Sequence, residues 1–170
     1  MKKILTLFAV VGLFAFTGCS NNDDDVDYDT ISGVFDVPNV SFTSENDYSK
    51  SVPNPSQYAS DVILVYRSAG VETNGNRIWK LLPETYFTDD RGLDFTYTFQ
   101  FSRDYIDIFM DGYDLDGVNS SYRLNQVFRI VIVPGDFLGT NKSVNKADYS
   151  DYNAVIKKYN INDKNVKELK

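Results

Sequence analysis

Apolar and polar positions alternate most clearly in Leu93-Asp94-Phe95-Thr96-Tyr97-Thr98-Phe99-Gln100-Phe101, where every odd position is apolar or aromatic and every even one is polar. Period two predicts a strand with one face on a core and the other in water. Residues 62 to 66 (Val-Ile-Leu-Val-Tyr) and 127 to 133 (Val-Phe-Arg-Ile-Val-Ile-Val) instead form short β-branched runs bounded by turn formers. Such runs predict central strands covered on both faces. Between the first run and Leu82, Asn74-Gly75 predicts a hairpin with both positive-φ positions of a type I′ turn, placing Trp79 on the return strand. Pro83 ends that strand, and Asp89-Asp90-Arg91-Gly92 turns the chain into the alternating segment. A turn at Ser102-Arg103-Asp104 resets the phase, so Ile106, Ile108 and Met110 belong to a further strand. Phe35, Val37, Val40 and Phe42 suggest earlier strands, while Pro53 and Pro55 mark a loop or an edge.

Near the C-terminus the period changes. Residues 148 to 159 open with capping Asp and Ser and close with Lys157 and Lys158, and Tyr152, Val155, Ile156 and Tyr159 fall on one helical face. The expected fold is mainly β, an antiparallel β-sandwich of about seven strands, with one short C-terminal helix closing an end or an edge.

The N-terminal segment follows a different rule. Lys2 and Lys3 precede an uncharged apolar run of residues 4 to 16, then Thr17, Gly18 and Cys19. A bilayer span needs about 20 apolar residues, so this shorter run reads as an export signal with a processing site. Phe16-Thr17-Gly18-Cys19 resembles the lipobox of bacterial lipoproteins, which implies that Cys19 is lipidated and becomes the first mature residue. Residues 20 to 29 are polar and acidic and predict a flexible tether. They resemble the acidic segment that marks Bacteroidota lipoproteins for the outer surface. The expected organisation is therefore a signal peptide at 1–18, lipidated Cys19 and its tether at 19–30, one domain at 31–162, and a polar tail at 163–170.

Composition narrows the chemistry. The 170 residues include no His, which excludes imidazole bases, Ser-His-Asp triads and His-ligated metals. The single Cys excludes an internal disulfide and cysteine-rich clusters. Cleavage before Cys19 removes Lys2, Lys3 and no acid, taking the formal charge from −7 to −9. That balance argues against nucleic acid as a partner.

Three patterns carry possible chemistry. Asp111, Asp114 and Asp116 offer three carboxylates that suit calcium, but in an EF-hand register with Gly117 at the sixth position, Gly112 and Arg123 would occupy the first and last ligand positions. A turn built on Asp and Gly accounts for the same residues. Ser143 and Lys146 match the S-x-x-K pattern of acyl-serine enzymes, without its companion motifs. All 12 Tyr follow Cys19; Tyr66, Tyr97 and Tyr105 suit a core with hydroxyls at its rim, whereas Tyr113 and Tyr122, flanking the Asp-Gly turn, are the candidates for exposed contact with glycan or protein.

Several segments, DVILVYR, WKLLPETYF, LDFTYTFQF, DIFMDG, YRLNQVFRIVIVPGDF and DYNAVIKKYNI, resemble the globular C-terminal region of small flavobacterial surface lipoproteins. In some of these a collagen-like tract follows the lipidated Cys; here the acidic stretch stands in its place. The resemblance implies a lipid-anchored outer-surface protein and brings no catalytic motif; an anchor, a tether and one compact all-β module without a catalytic set lead to the expectation of a non-catalytic binding or structural role without a cofactor. A periplasm-facing accessory lipoprotein, or a hydrolase built on carboxylates alone, are the competing expectations.

Overall fold

The structure, a computed structural model, describes residues 33–56, 58–88, 92–134 and 149–170. Two sheets face each other. The strands are β1 (Gly33–Val40), β2 (Ser49–Pro53), β3 (Val62–Val71), β4 (Arg77–Leu81), β5 (Glu84–Thr88), β6 (Gly92–Phe101), β7 (Tyr105–Gly112), β8 (Gln126–Val133) and β9 (Lys167–Glu168), with short helices α1 (Ser120–Arg123) and α2 (Tyr152–Lys158). One sheet runs β4-β3-β8-β1-β9 and the other β2-β7-β6-β5. Every pairing is antiparallel except β1 with β9. The mainly β sandwich expected from the period-two segments is present, with nine strands among the described residues.

The odd-numbered face of β6 points inward. Phe95 and Tyr97 are buried and Phe99 is partly buried, but Phe101 is exposed where the strand runs past its cover. Ile106, Ile108 and Met110 of β7, Val37 of β1, Val65 of β3 and Phe128, Ile130 and Ile132 of β8 complete the layer between the sheets. Burial of this apolar surface supplies the main drive to fold. Edge strand β2 ends at Pro53, in keeping with the place proline takes in a sheet.

The helix lies over the β4 edge of the five-stranded sheet. α2 covers the outer face of the five-stranded sheet, and Tyr152, Val155, Ile156 and Tyr159 all pack there with Val34, Leu64, Tyr66, Val131 and Val133. β3 and β8 are apolar on both faces, so their outer side needs a lid as much as their inner side needs the second sheet. Asp151 caps α2, its Oδ1 accepting from Ala154 N at 3.1 Å. Tyr66 donates from its hydroxyl to Tyr149 O at 2.7 Å beneath this cover.

Residues 163–170, expected as a polar tail, extend the sheet. Lys167 and Glu168 pair with Phe35 and Asp36, Leu169 N donates to Asp36 O at 2.8 Å, and Val166 and Leu169 pack on the outer and inner apolar layers. Arg129, on the outer face of β8, ties these late elements down. It forms a two-pronged pair with Asp36 (Nε to Oδ1 2.7 Å, Nη2 to Oδ2 2.9 Å), and Nη1 donates to the Tyr152 hydroxyl at 2.7 Å. That hydroxyl donates on to Asp163 at 2.8 Å, and the guanidinium lies 4.4 Å from the centre of the Trp79 ring.

The hairpin joining β3 and β4 departs from the type I′ expectation. Gly75 has φ +89° and Asn74 is not in the positive-φ region. Gly75 N donates to Glu72 O at 2.9 Å and Glu72 N to Asn76 O at 2.8 Å, the pattern of a turn followed by a glycine bulge. Asn74 instead accepts from Asn76 N through its side chain at 2.8 Å, a use of Asn that requires no positive φ.

Candidate functional site

Strand direction sets the geography of the sandwich. β1 begins at Gly33 beside Ile132 of β8, and seven residues later, about 23 Å along a strand, Val40 pairs with Gln126. The end remote from Gly33 therefore gathers the start of β8, the close of β3, the β3–β4 hairpin, part of β5, and α1. β3 runs on to Val71, whereas its pairing with β8 stops at Arg67 and Phe128. A cleft of about 400 Å³ opens there, lined by residues that include Arg67, Gly70, Arg77, Tyr86, Tyr122 and Gln126. Its volume lies in the range of small-ligand sites.

Arg67 forms the floor and is 5% exposed. All five of its N–H groups are engaged. Nε donates to Glu84 Oε2 at 2.7 Å, Nη2 to Glu84 Oε1 at 3.1 Å and to the Tyr86 hydroxyl, and Nη1 to Gln126 Oε1 at 3.1 Å and Ser68 O at 3.3 Å. The guanidinium also sits 4.7 Å from the centre of the Tyr97 ring. Tyr86 donates to Glu84 Oε1 at 2.8 Å, and Lys80 Nζ reaches the same oxygen at 3.2 Å. Burial pushes the Glu84 carboxyl up, but the Arg67 hydrogen bonds and charge, with Tyr86 and Lys80, outweigh it and hold it below the usual range. Burial, then its bond to Glu84, pushes the Tyr86 phenol up to about 12. Both groups keep their ordinary charge near neutrality.

Gln126 carries this order into the wall. Its Nε2 donates to Ser121 O at 2.8 Å and Leu124 O at 2.9 Å, so the segment holding Tyr122 is fixed to the floor. The Tyr97 hydroxyl adds a bond to Tyr122 O. The Tyr122 ring packs at 5.0 Å from Tyr86 and 5.4 Å from Phe95, yet remains 37% exposed. Chemically the cleft is a rigid cup with a saturated floor, an aromatic wall and a second, exposed arginine, Arg77, at its rim. No protein-family model matches this chain, and no curated protein or solved structure does so either.

The residues singled out from sequence are placed as follows. Tyr122 is in the cleft. Tyr113 is fully exposed and is not among the cleft residues. The three aspartates are not brought together as a ligand set: Asp111 pairs opposite Thr96 within β7, Asp114 accepts from Gly117 N at 3.1 Å, and Asp116 accepts from the Tyr48 hydroxyl. A Cβ at Gly117 would lie 2.6 Å from the Asp114 carboxylate, so a side chain there would displace the carboxylate that accepts from Gly117 N. Among the described residues no group of three or more Asp, Glu, His or Cys is arranged to hold a metal. Tyr66 and Tyr97 are buried as expected, whereas Tyr105 is 56% exposed because it begins β7 beside a turn. Cys19, the tether and the Ser143/Lys146 pattern lie outside the described residues.

Sequence reading did not single out Arg67, Arg77, Glu84 or Gln126. The signal was there for Arg67: a charge directly after Val-Ile-Leu-Val-Tyr, in a run meant for a covered strand, must find a partner. Nothing in the linear order marks Glu84 as that partner.

Proposed function

We propose that this protein is a lipid-anchored lipoprotein of the bacterial outer surface whose sandwich binds a ligand, without catalysis, in the cleft beneath Tyr122. The observation that supports this reading is placement. The cleft lies at the sandwich end opposite Gly33, the side on which the chain arrives from Cys19 and the acidic tether. A protein held at that side by a lipid presents the cleft outward. The floor supports binding over catalysis, because its carboxylate and guanidinium saturate each other and leave no group poised to give or take a proton. The lipobox-like Phe16-Thr17-Gly18-Cys19, the acidic residues after it and the likeness to flavobacterial surface lipoproteins supply the address.

Two measurements test the address. Cys19→Ser is expected to move the protein from the membrane fraction to the soluble fraction, and a variant that stays fully membrane-bound overturns the lipid anchor. Protease treatment of intact cells is expected to remove the domain. Protection until lysis would instead favour the periplasm-facing accessory role.

A further inference from the structure

Resting on the reading of the cleft as the ligand site, its chemistry narrows what the ligand is. Its lining contains two arginines, of which Arg67 is neutralised by Glu84, so that among the described residues Arg77 is its one uncompensated charge, in a chain of formal charge −7. An anionic ligand is thus repelled by most of the surface and attracted here. The two arginines are not equivalent. Arg67 has no N–H left to offer, so it shapes the floor without contacting a ligand. Arg77 is exposed, donates one hydrogen bond, to Ser68 Oγ at 3.2 Å, and makes no ion pair among the described residues. Its guanidinium keeps the planar two-pronged face that matches a carboxylate.

The same cleft is lined by the partly exposed ring of Tyr122, which packs against Tyr86 and Phe95. A fixed ring gives a flat apolar surface with a hydroxyl at its tip, suited to the face of another ring. The rest of the lining is uncharged, part apolar and part polar, with Ser68, Ser121 and Asn125 able to exchange hydrogen bonds with hydroxyl groups. One acidic group, one flat face and several hydroxyls describe an acidic sugar. We infer that the cleft takes a carboxylated sugar of the uronic-acid type, its carboxylate on Arg77 and its ring against Tyr122. A peptide of acidic side chains would satisfy Arg77 but would leave the aromatic wall and the neutral hydroxyl partners without a match.

Calorimetric titration of the full chain in detergent tests this with three probes: a glucuronate-containing oligosaccharide, a neutral oligosaccharide of the same length, and an Asp/Glu-rich peptide. The acidic sugar is expected to bind at least about tenfold more tightly than either other probe, and to weaken as salt rises. Arg77→Gln is expected to remove that preference, at least about a tenfold loss, while Arg77→Lys keeps the charge and loses only part of it. Arg77 lies on the exposed rim, so both variants are expected to melt with the wild type. Tyr122→Leu, checked by melting because its ring also packs on Phe95, is expected to weaken both sugars. Equal binding of acidic and neutral sugar, or acidic-sugar binding untouched by Arg77→Gln, overturns the inference. Preferred binding of the neutral sugar or the peptide, lost in Tyr122→Leu or Arg77→Gln, overturns the acidic sugar but leaves the cleft standing as the binding site. Binding of none of the three overturns both.

Discussion

Arg67 and Arg129 sit on adjacent strands, facing Phe128 and Tyr66 respectively, yet they lie on opposite faces of one sheet. Both hold a carboxylate with two prongs, and both lie against aromatic rings. Their partners differ in kind. Arg67 bonds within the sandwich, to Glu84 and Tyr86 of β5 and Gln126 of β8, and its neighbourhood opens into the cleft. Arg129 bonds to Asp36 of β1 and Tyr152 of α2, with Asp163 one bond further on, so it fastens the cover of the outer face. One arginine shapes a site and the other closes the fold. Their surroundings differ as well: side-chain exposure is 6% and 9% for Arg67 and Glu84, against 11% and 22% for Arg129 and Asp36.

That difference predicts unequal costs. Arg67→Ala leaves Glu84 buried without its main partner and is expected to destabilise by about 3–5 kcal/mol, measured by denaturant unfolding. Replacing Arg67 and Glu84 together by Met and Leu is expected to recover most of that loss, because no charge is then left stranded. Arg129→Ala, in a wetter setting, is expected to cost about 1.5–3 kcal/mol. A loss for Arg129→Ala equal to that for Arg67→Ala would break the contrast between the faces.

Acid unfolding sharpens it. The Glu84 carboxyl is held below its ordinary 4.5 in the folded state, so the unfolded chain takes up the proton first as pH falls. Its stabilising contribution is complete above about 4.5 and is lost as pH drops from there through the folded-state value. Glu84→Gln is expected to flatten the stability slope in that window relative to wild type, and an unchanged slope would deny Glu84 this role. The smallest effect is expected at Asp163, whose carboxylate is 32% exposed and 3.9 Å from Arg129 Nη1. Asp163→Asn should change stability by no more than about 0.5–1 kcal/mol. A larger loss would mean that the outer arginine depends on the last residues as strongly as the inner one depends on Glu84.

Much of the architecture was legible along the chain. The alternation of residues 93 to 101, the phase reset after Phe101 and the helical face of Tyr152, Val155, Ile156 and Tyr159 were each readable because side-chain direction repeats with the local backbone period. The two-sided runs at 62–66 and 127–133 even implied that both faces of their sheet are covered. They did not say by what. The helix was expected at an end or an edge and packs over the β4 edge, whereas residues 163–170 were expected as a tail. Lys167 and Glu168 join the sheet through backbone hydrogen bonds, and those leave no mark in side-chain pattern. The candidate site was less legible. Tyr122 stood out beside its turn, whereas nothing in the linear order showed that Asp111, Asp114 and Asp116 go to a strand, a turn and a tyrosine contact.

The sequence by itself determined the central strands, the helix face, the need for a partner at a charge beside an apolar run, and the chemistry that a chain without His is denied. Period and polarity are local properties, and a local backbone expresses them directly. Which carboxylate answers which arginine, which loops meet at the end remote from Gly33, and that β3 outruns β8 to leave a cleft were decided only by tertiary structure. Those pairings join residues 17 to 93 positions apart: the register of neighbouring β1 and β8 sets Asp36 beside Arg129, whereas Glu84 reaches Arg67 only because the two sheets stack face to face.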